Sequence, residues 1–160
     1  MTPINIHRQG RVEAIAFIDD ADVPLVSRWS WSLNNDGYAQ ACGGKLMHRI
    51  VMGAQRGQLV DHIDHNVLMN VRGNLRFVTH SQNGMNQIRT GKILGLYHAR
   101  DGKWEAHIRE NGIRRHLGRF PKKHDAIRAR LTAVRSYWSS QSLPIPTAIE
   151  QLYLNALAAA

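Results

Sequence analysis

Apolar and polar residues alternate through Arg11-Val12-Glu13-Ala14-Ile15-Ala16-Phe17-Ile18, and a shorter apolar run, Ile4-Asn5-Ile6, precedes them across Gln9-Gly10. Neighbouring side chains on an extended chain face opposite sides, so the two runs predict a hairpin that turns at Gln9-Gly10. Asp19 and Asp20 close it. The pattern then predicts a short helix from Ala21 to Trp29, with Asp20 as its cap, Pro24 in its first turn and Val23, Leu25 and Val26 facing inward. Trp29 and Trp31 are assigned to the core. Asn34-Asn35-Asp36-Gly37 is a turn, Tyr38-Ala39-Gln40-Ala41-Cys42 a strand and Gly43-Gly44 a further turn.

Period-two patterning returns in Leu59-Val60-Asp61-His62-Ile63 and in Asn74-Leu75-Arg76-Phe77-Val78, separated by polar loop residues. Thr79 or Ser81 can cap a short helix that carries Gln82, Asn83 and Asn86. Further on, Gly95 to Arg100, the turn Asp101-Gly102, Lys103 to Arg109, the turn Asn111-Gly112 and Ile113 to Phe120 read as three strands of one sheet. Trp104, Ala106 and Ile108 share one face of the middle strand, and Lys103, Glu105, His107 and Arg109 share the other. From Pro121 the period changes to that of a helix, with Ile127, Leu131, Val134 and Trp138 at spacings of four, three and four. That stripe is expected to cover the apolar face of the sheet. The divisions are therefore 1–88, a basic linker at 89–93, a sheet-and-helix module at 94–139, and a proline-containing connector with a last helix at 140–160. Ile149, Leu152 and Tyr153 are the expected contacts of that last helix. The fold class is α+β.

Composition narrows the chemistry. Across 160 residues, 43% hydrophobic and 21% charged residues are an ordinary globular balance, but 21 Lys and Arg against 12 Asp and Glu leave a net charge of +9. Such an excess favours a polyanionic partner, nucleic acid above all, with a ribosome-associated or membrane-surface protein as the competing reading. No apolar run approaches the roughly 18 residues of a membrane span, and no signal peptide is evident, so the protein is expected to be soluble and intracellular. Cys42 is the only cysteine, which excludes an internal disulfide and a cysteine-rich zinc ribbon.

The stretch from Met47 to Asn86 concentrates His48, Asp61, His62, Asp64, His65, Asn66, Asn70, Asn74, His80, Asn83 and Asn86. Oxygen donors from Asp61 and Asn83 suit a hard divalent ion, magnesium or manganese, that keeps several waters and polarises a phosphate. His62, with a pKa near neutrality, suits the general base that activates an attacking water. The pattern thus points to metal-assisted phosphodiester hydrolysis with one ion per site. Two other readings stand beside it: a zinc site in Asp61-His62-Ile63-Asp64-His65, and a loop whose asparagines only form turns through local hydrogen bonds.

His48-Arg49, Val60-Asp61-His62-Ile63, Asn66, Asn70, Asn74-Leu75-Arg76, Val78-Thr79 and Gln82-Asn83 resemble the HNH homing endonucleases of bacteriophages and their introns. The resemblance rests on the Asp-His pair, the Asn twelve residues beyond His62 and the Asn nine further on, and it covers roughly residues 3 to 88. It implies a ββα-metal fold in which His62 is the general base, Asp61 and Asn83 hold the metal, and the catalytic-site residue Asn74 orders the loop. Asn83 stands where many relatives carry histidine, a variant known in the phage branch. If phage-encoded, as the resemblance implies, the protein works in the bacterial host cytoplasm.

Gly95-Leu96-Tyr97, Gly102 to Arg109 and Leu117-Gly118-Arg119-Phe120 resemble the ethylene-response-factor type of DNA-binding domain over about residues 94 to 139. In that family the sheet reads the major groove, which implies that Tyr97, Lys103, Glu105, His107, Arg109, Arg114 and His116 lie near DNA. Tyr97, Ala99 and His116 replace the Arg, Arg and Trp of plant members, so base preferences do not carry over. With Arg49, Arg72, Arg76 and Arg100, these make up the expected contacts to double-stranded DNA. No membrane partner and no small-molecule cofactor is expected. The competing functions are a non-catalytic DNA-binding or regulatory protein on a decayed nuclease fold, and a ribonuclease or structured-RNA binder.

Overall fold

A computed structural model describes residues 1–86 and 93–160, and the chain divides into two units, Met1–Thr79 and His80–Ala160. The predicted basic linker lies, apart from residue 93, outside the described residues. The architecture is mixed α+β. Among the described residues no helix is long and apolar enough to cross a membrane.

The first unit opens with the expected hairpin, β1 (Thr2–Arg8) against β2 (Arg11–Ile18), longer at its start than the apolar pattern marks. Gln9 and Gly10 turn it with positive φ angles of 49° and 79°. The helix expected from Ala21 to Trp29 is much shorter. A 3₁₀ turn at Asp20–Asp22 leads into α1 (Val23–Val26). Its C-terminal carbonyl is taken by side and main chain alike, since Trp31 Nε1 and Trp29 N both donate to Val26 O, at 3.1 and 3.2 Å. Asp20 makes no cap; its Oδ1 accepts from Thr2 Oγ1 at 2.6 Å and meets the N-terminal ammonium at 2.8 Å.

Three short strands follow, β3 (Ser32–Leu33), β4 (Ala39–Ala41) and β5 (Lys45–Leu46), paired in that order. The turn between β3 and β4 is set by Asn34, whose Oδ1 accepts from Asp36 N and Tyr38 N at 3.0 and 2.9 Å. Then come α2 (Met47–Val51), β6 (Leu59–His62) and β7 (Leu75–Val78), the last two antiparallel. Ile6, Ile18, Val26, Met47 and Val51 are essentially sealed from water and form the centre of this unit's core, with Trp31 among them and Trp29 packed at its edge.

The second unit begins with α3 (His80–Asn86) and continues into the expected sheet of β8 (Leu96–His98), β9 (Trp104–Glu110) and β10 (Ile113–Phe120), with β9 central. α4 (Lys123–Ser140) covers its apolar face, starting two residues after Pro121. Ile127, Leu131, Val134 and Trp138 are buried with Ala106 and Ile108, as the helical period predicts. α5 (Thr147–Ala158) adds Ile149 and Tyr153 to the same core, with Leu152 half-buried. Met85 brings α3 into it as well.

Candidate active site

Strand alternation separates Asp61 from His62. The β6–β7 ladder sets Asp61 directly across from Arg76 and His62 across from Leu75. Cross-strand neighbours on one face lie within side-chain reach, and here Arg76 Nε and Nη2 both donate to Asp61 Oδ2, at 3.0 and 2.8 Å. Both side chains are largely buried, 6% exposed for Arg76 and 11% for Asp61. The guanidinium therefore holds the carboxylate in one orientation and balances its charge below the surface.

His62 turns the other way and is 4% exposed. Its Nε2 lies 3.2 Å from Asn70 Oδ1. An amide oxygen only accepts, so Nε2 carries the proton and Nδ1 the lone pair. Asn70 is itself fully buried, and its backbone N–H donates to Phe17 O at 2.7 Å, while Phe17 N donates to Leu68 O at 2.8 Å. The partner of His62 is thus anchored on β2. Behind His62 stands His48 of α2, with ring centroids 5.1 Å apart and planes nearly perpendicular, and Tyr38 closes the group at 5.2 Å from His48 and 5.9 Å from His62. Burial, helped by the neighbouring His62, pushes His48 down to a pKa of about 3. Burial also lowers His62 below the ordinary histidine value, against the opposing pull of the Asn70 hydrogen bond and of Asp61 and Asp64. At neutral pH both imidazoles are uncharged.

The loop between β6 and β7 is tied by its own side chains. Asp64 Oδ1 accepts from Asn66 N and Asn74 Nδ2, both at 2.8 Å, and Asn66 Oδ1 accepts from Leu68 N at 3.1 Å. Asn74 also donates to Met69 O at 2.8 Å and accepts from Asp64 N at 3.1 Å. Asn66 and Asn74 are therefore turn formers here, whatever else they do. Asn83 lies half-buried on α3, in the second unit.

The basic residues divide by unit. Arg49 donates to the carbonyls of Gln55 and Gln58 and closes that turn. Arg72 grips Asp22 through Nε and Nη2, at 3.0 and 2.6 Å, and Arg76 is held on Asp61. In the second unit Tyr97, Arg100, Lys103, Arg109, Arg114 and His116 are exposed, and His107 is 13% exposed. Arg114 lies over the Tyr97 ring at 5.2 Å. Glu105, His107 and His116 also meet on this sheet, with one ligand atom of each within 4.8 Å of the others, and could hold a divalent ion.

Sequence patterns alone missed the parts played by Asn70, His48, Tyr38 and Arg76. The Asp61–Arg76 pair needs the register of two strands joined by a long loop, which no turn dipeptide sets. His48 and Tyr38 come from elements far from His62 in the chain.

An uncharacterized HNH endonuclease of Acanthamoeba polyphaga mimivirus is 31% identical to this chain over 119 residues, 69% of the chain. The chain spans 64% of that relative's length. No family model matches the chain. No solved structure matches it either.

Proposed function

We propose, from this family-level relation to HNH nucleases, that the chain is a metal-dependent endonuclease of the phage homing type that hydrolyses phosphodiester bonds in double-stranded DNA. The observation that carries the reading is His62: a buried, neutral imidazole whose Nε2 is bound to Asn70, leaving the Nδ1 lone pair to take a proton from water. A base with one nitrogen pinned has a fixed direction for the other. The polar loop beside it, ordered by Asn74, would position the phosphate.

Asp61, on β6, would be a ligand of the magnesium or manganese ion, a role expected also of Asn83. The donor chemistry fits, because Asp61 offers carboxylate oxygen, the ligand type of a hard cation, and Arg76 fixes its orientation. When bound, the ion would supply charge to the phosphate and the leaving oxygen. Arg76 would act through Asp61, while Arg49 and Arg72 would offer phosphate the donors that their internal partners leave over. The second unit would act as an ethylene-response-factor-type module, with Tyr97, Arg100, Lys103, His107, Arg109, Arg114 and His116 along the DNA.

Plasmid cleavage with magnesium, with manganese and with a chelator tests the proposal. Cleavage is expected with either ion and none in chelator, and His62→Ala is expected to lose about 10²–10⁴-fold in rate while DNA affinity holds. A wild-type protein that binds DNA but cuts it with neither ion would be a DNA-binding protein on a nuclease-like fold instead.

A further inference from the structure

The outer face of the β8–β9–β10 sheet carries a side-chain cluster with chemistry of its own. Glu105 and His107 stand two residues apart on β9 and so share a face, and His116 of β10 pairs with His107 directly across the ladder. A bulge between His116 and Gly118 inserts Leu117, so Arg119, three residues beyond His116, comes opposite Glu105. Without that extra residue, Arg119 would fall on the buried face. The bulge thus lines up Glu105, His107, His116 and Arg119 on one side. The two imidazole rings lie 4.8 Å apart, Glu105 Oε2 is 3.4 Å from His107 Nε2, and one ligand atom from each of the three residues lies within 4.8 Å of the other two.

Its surroundings orient the cluster. Arg119 Nε is 3.2 Å from Glu105 Oε1, and Arg119 Nη2 is 2.8 Å from Asp101 Oδ2. The glutamate is therefore steered through one oxygen, with the other turned to the histidine. His107 Nδ1 is buried without a partner among the described residues, so Nε2 is the ring nitrogen on the side of the cluster.

We propose that Glu105, His107 and His116 form a second metal site, for a transition ion of the zinc class, which staples β9 to β10. Two imidazoles and a carboxylate are a zinc donor set, whereas magnesium takes oxygen ligands almost alone. Three protein ligands leave a fourth position open. Arg109 and Arg114 pair across the ladder two residues away on the same face, so the open position suits an anionic oxygen such as that of a phosphodiester.

The full chain, stripped of metal, is titrated with Zn²⁺ by calorimetry and with Co²⁺ by visible absorption, in the absence of DNA. One zinc ion per chain is expected to depend on this cluster, with the intense d–d bands of tetrahedral cobalt, and zinc is expected to raise the melting temperature. His116 is exposed, so His116→Ala should fold unchanged, yet bind zinc at least about tenfold more weakly and lose the melting shift. Glu105→Gln should weaken binding as well. His62→Ala and Asp61→Ala should leave it intact, which keeps the result separate from the fate of the nuclease proposal. Failure of the wild type to bind zinc, equal binding by His116→Ala and Glu105→Gln, or loss of the ion on His62→Ala would each overturn the assignment.

Discussion

His48 shows how far one side chain can set a condition on the whole first unit. Its ring is 5% exposed and its pKa is pushed to about 3, against about 6.5 for an unfolded chain. Between those values the unfolded chain binds the proton and the folded one does not, so acid favours unfolding. Stability is therefore complete above about pH 6.5 and drains away as the pH falls below it, by roughly 3 kcal/mol at pH 4 from this residue alone. Urea unfolding of the wild type at a series of pH values should show that decline, and His48→Gln should flatten it. An unchanged slope in the variant would mean that the imidazole is not what acid attacks. His62, lowered in the same direction by burial, adds to the effect. It also shifts the acid limb of cleavage, if cleavage depends on it, below the pH of an ordinary histidine.

At the level of elements, the second unit tests how a sheet tolerates glycine at strained points. Gly95 has φ +81°, and a Cβ added there would lie 2.3 Å from His107 O and 2.9 Å from Arg130 Nε. Gly102 has nearly the same φ, +80°, but nothing within 4 Å. Gly102→Ala should cost about 1–2 kcal/mol, the ordinary penalty of a left-handed conformation. Gly95→Ala should cost clearly more, because a backbone carbonyl must move, and chemical denaturation of the two variants side by side would read the difference. The strands and α4 were legible in the sequence because alternation marks β9 and an apolar stripe runs along α4 from Ile127 to Trp138. The exceptions are instructive. Arg130 lies in the buried stripe, 4% exposed, with Nε donating to Leu94 O at 3.0 Å, and a single cation at such a position reads in sequence as a solvated one. α1 stops after one turn because Trp31 and Trp29 reach back to Val26 O, a tertiary closure that no window of propensity contains. In the candidate site, Asp61 and His62 stood out by type. Asn70 and Arg76 stood in the same stretch, but their pairing with His62 and Asp61 was not legible, since it is set by a loop closure and a strand register rather than by spacing.

For the whole molecule, the net charge of +9 predicts DNA binding that weakens steeply with salt. Arg109 and Arg114 are both exposed on the outer sheet face, and each replaced by alanine should lower the slope of log affinity against log salt by about 1. Fluorescence titrations at several salt concentrations would measure it, and slopes equal to that of the wild type would place the DNA elsewhere. Among the described residues the two cores, meanwhile, have no member in common: Ile6, Ile18 and Met47 belong to one, Ile108, Ile127 and Trp138 to the other. Each half thus carries its own reserve against error. A lineage can accumulate changes around Ile127 and Trp138, even ones that loosen that half, without disordering the packing around His62, so that the two halves are free to diverge at different rates.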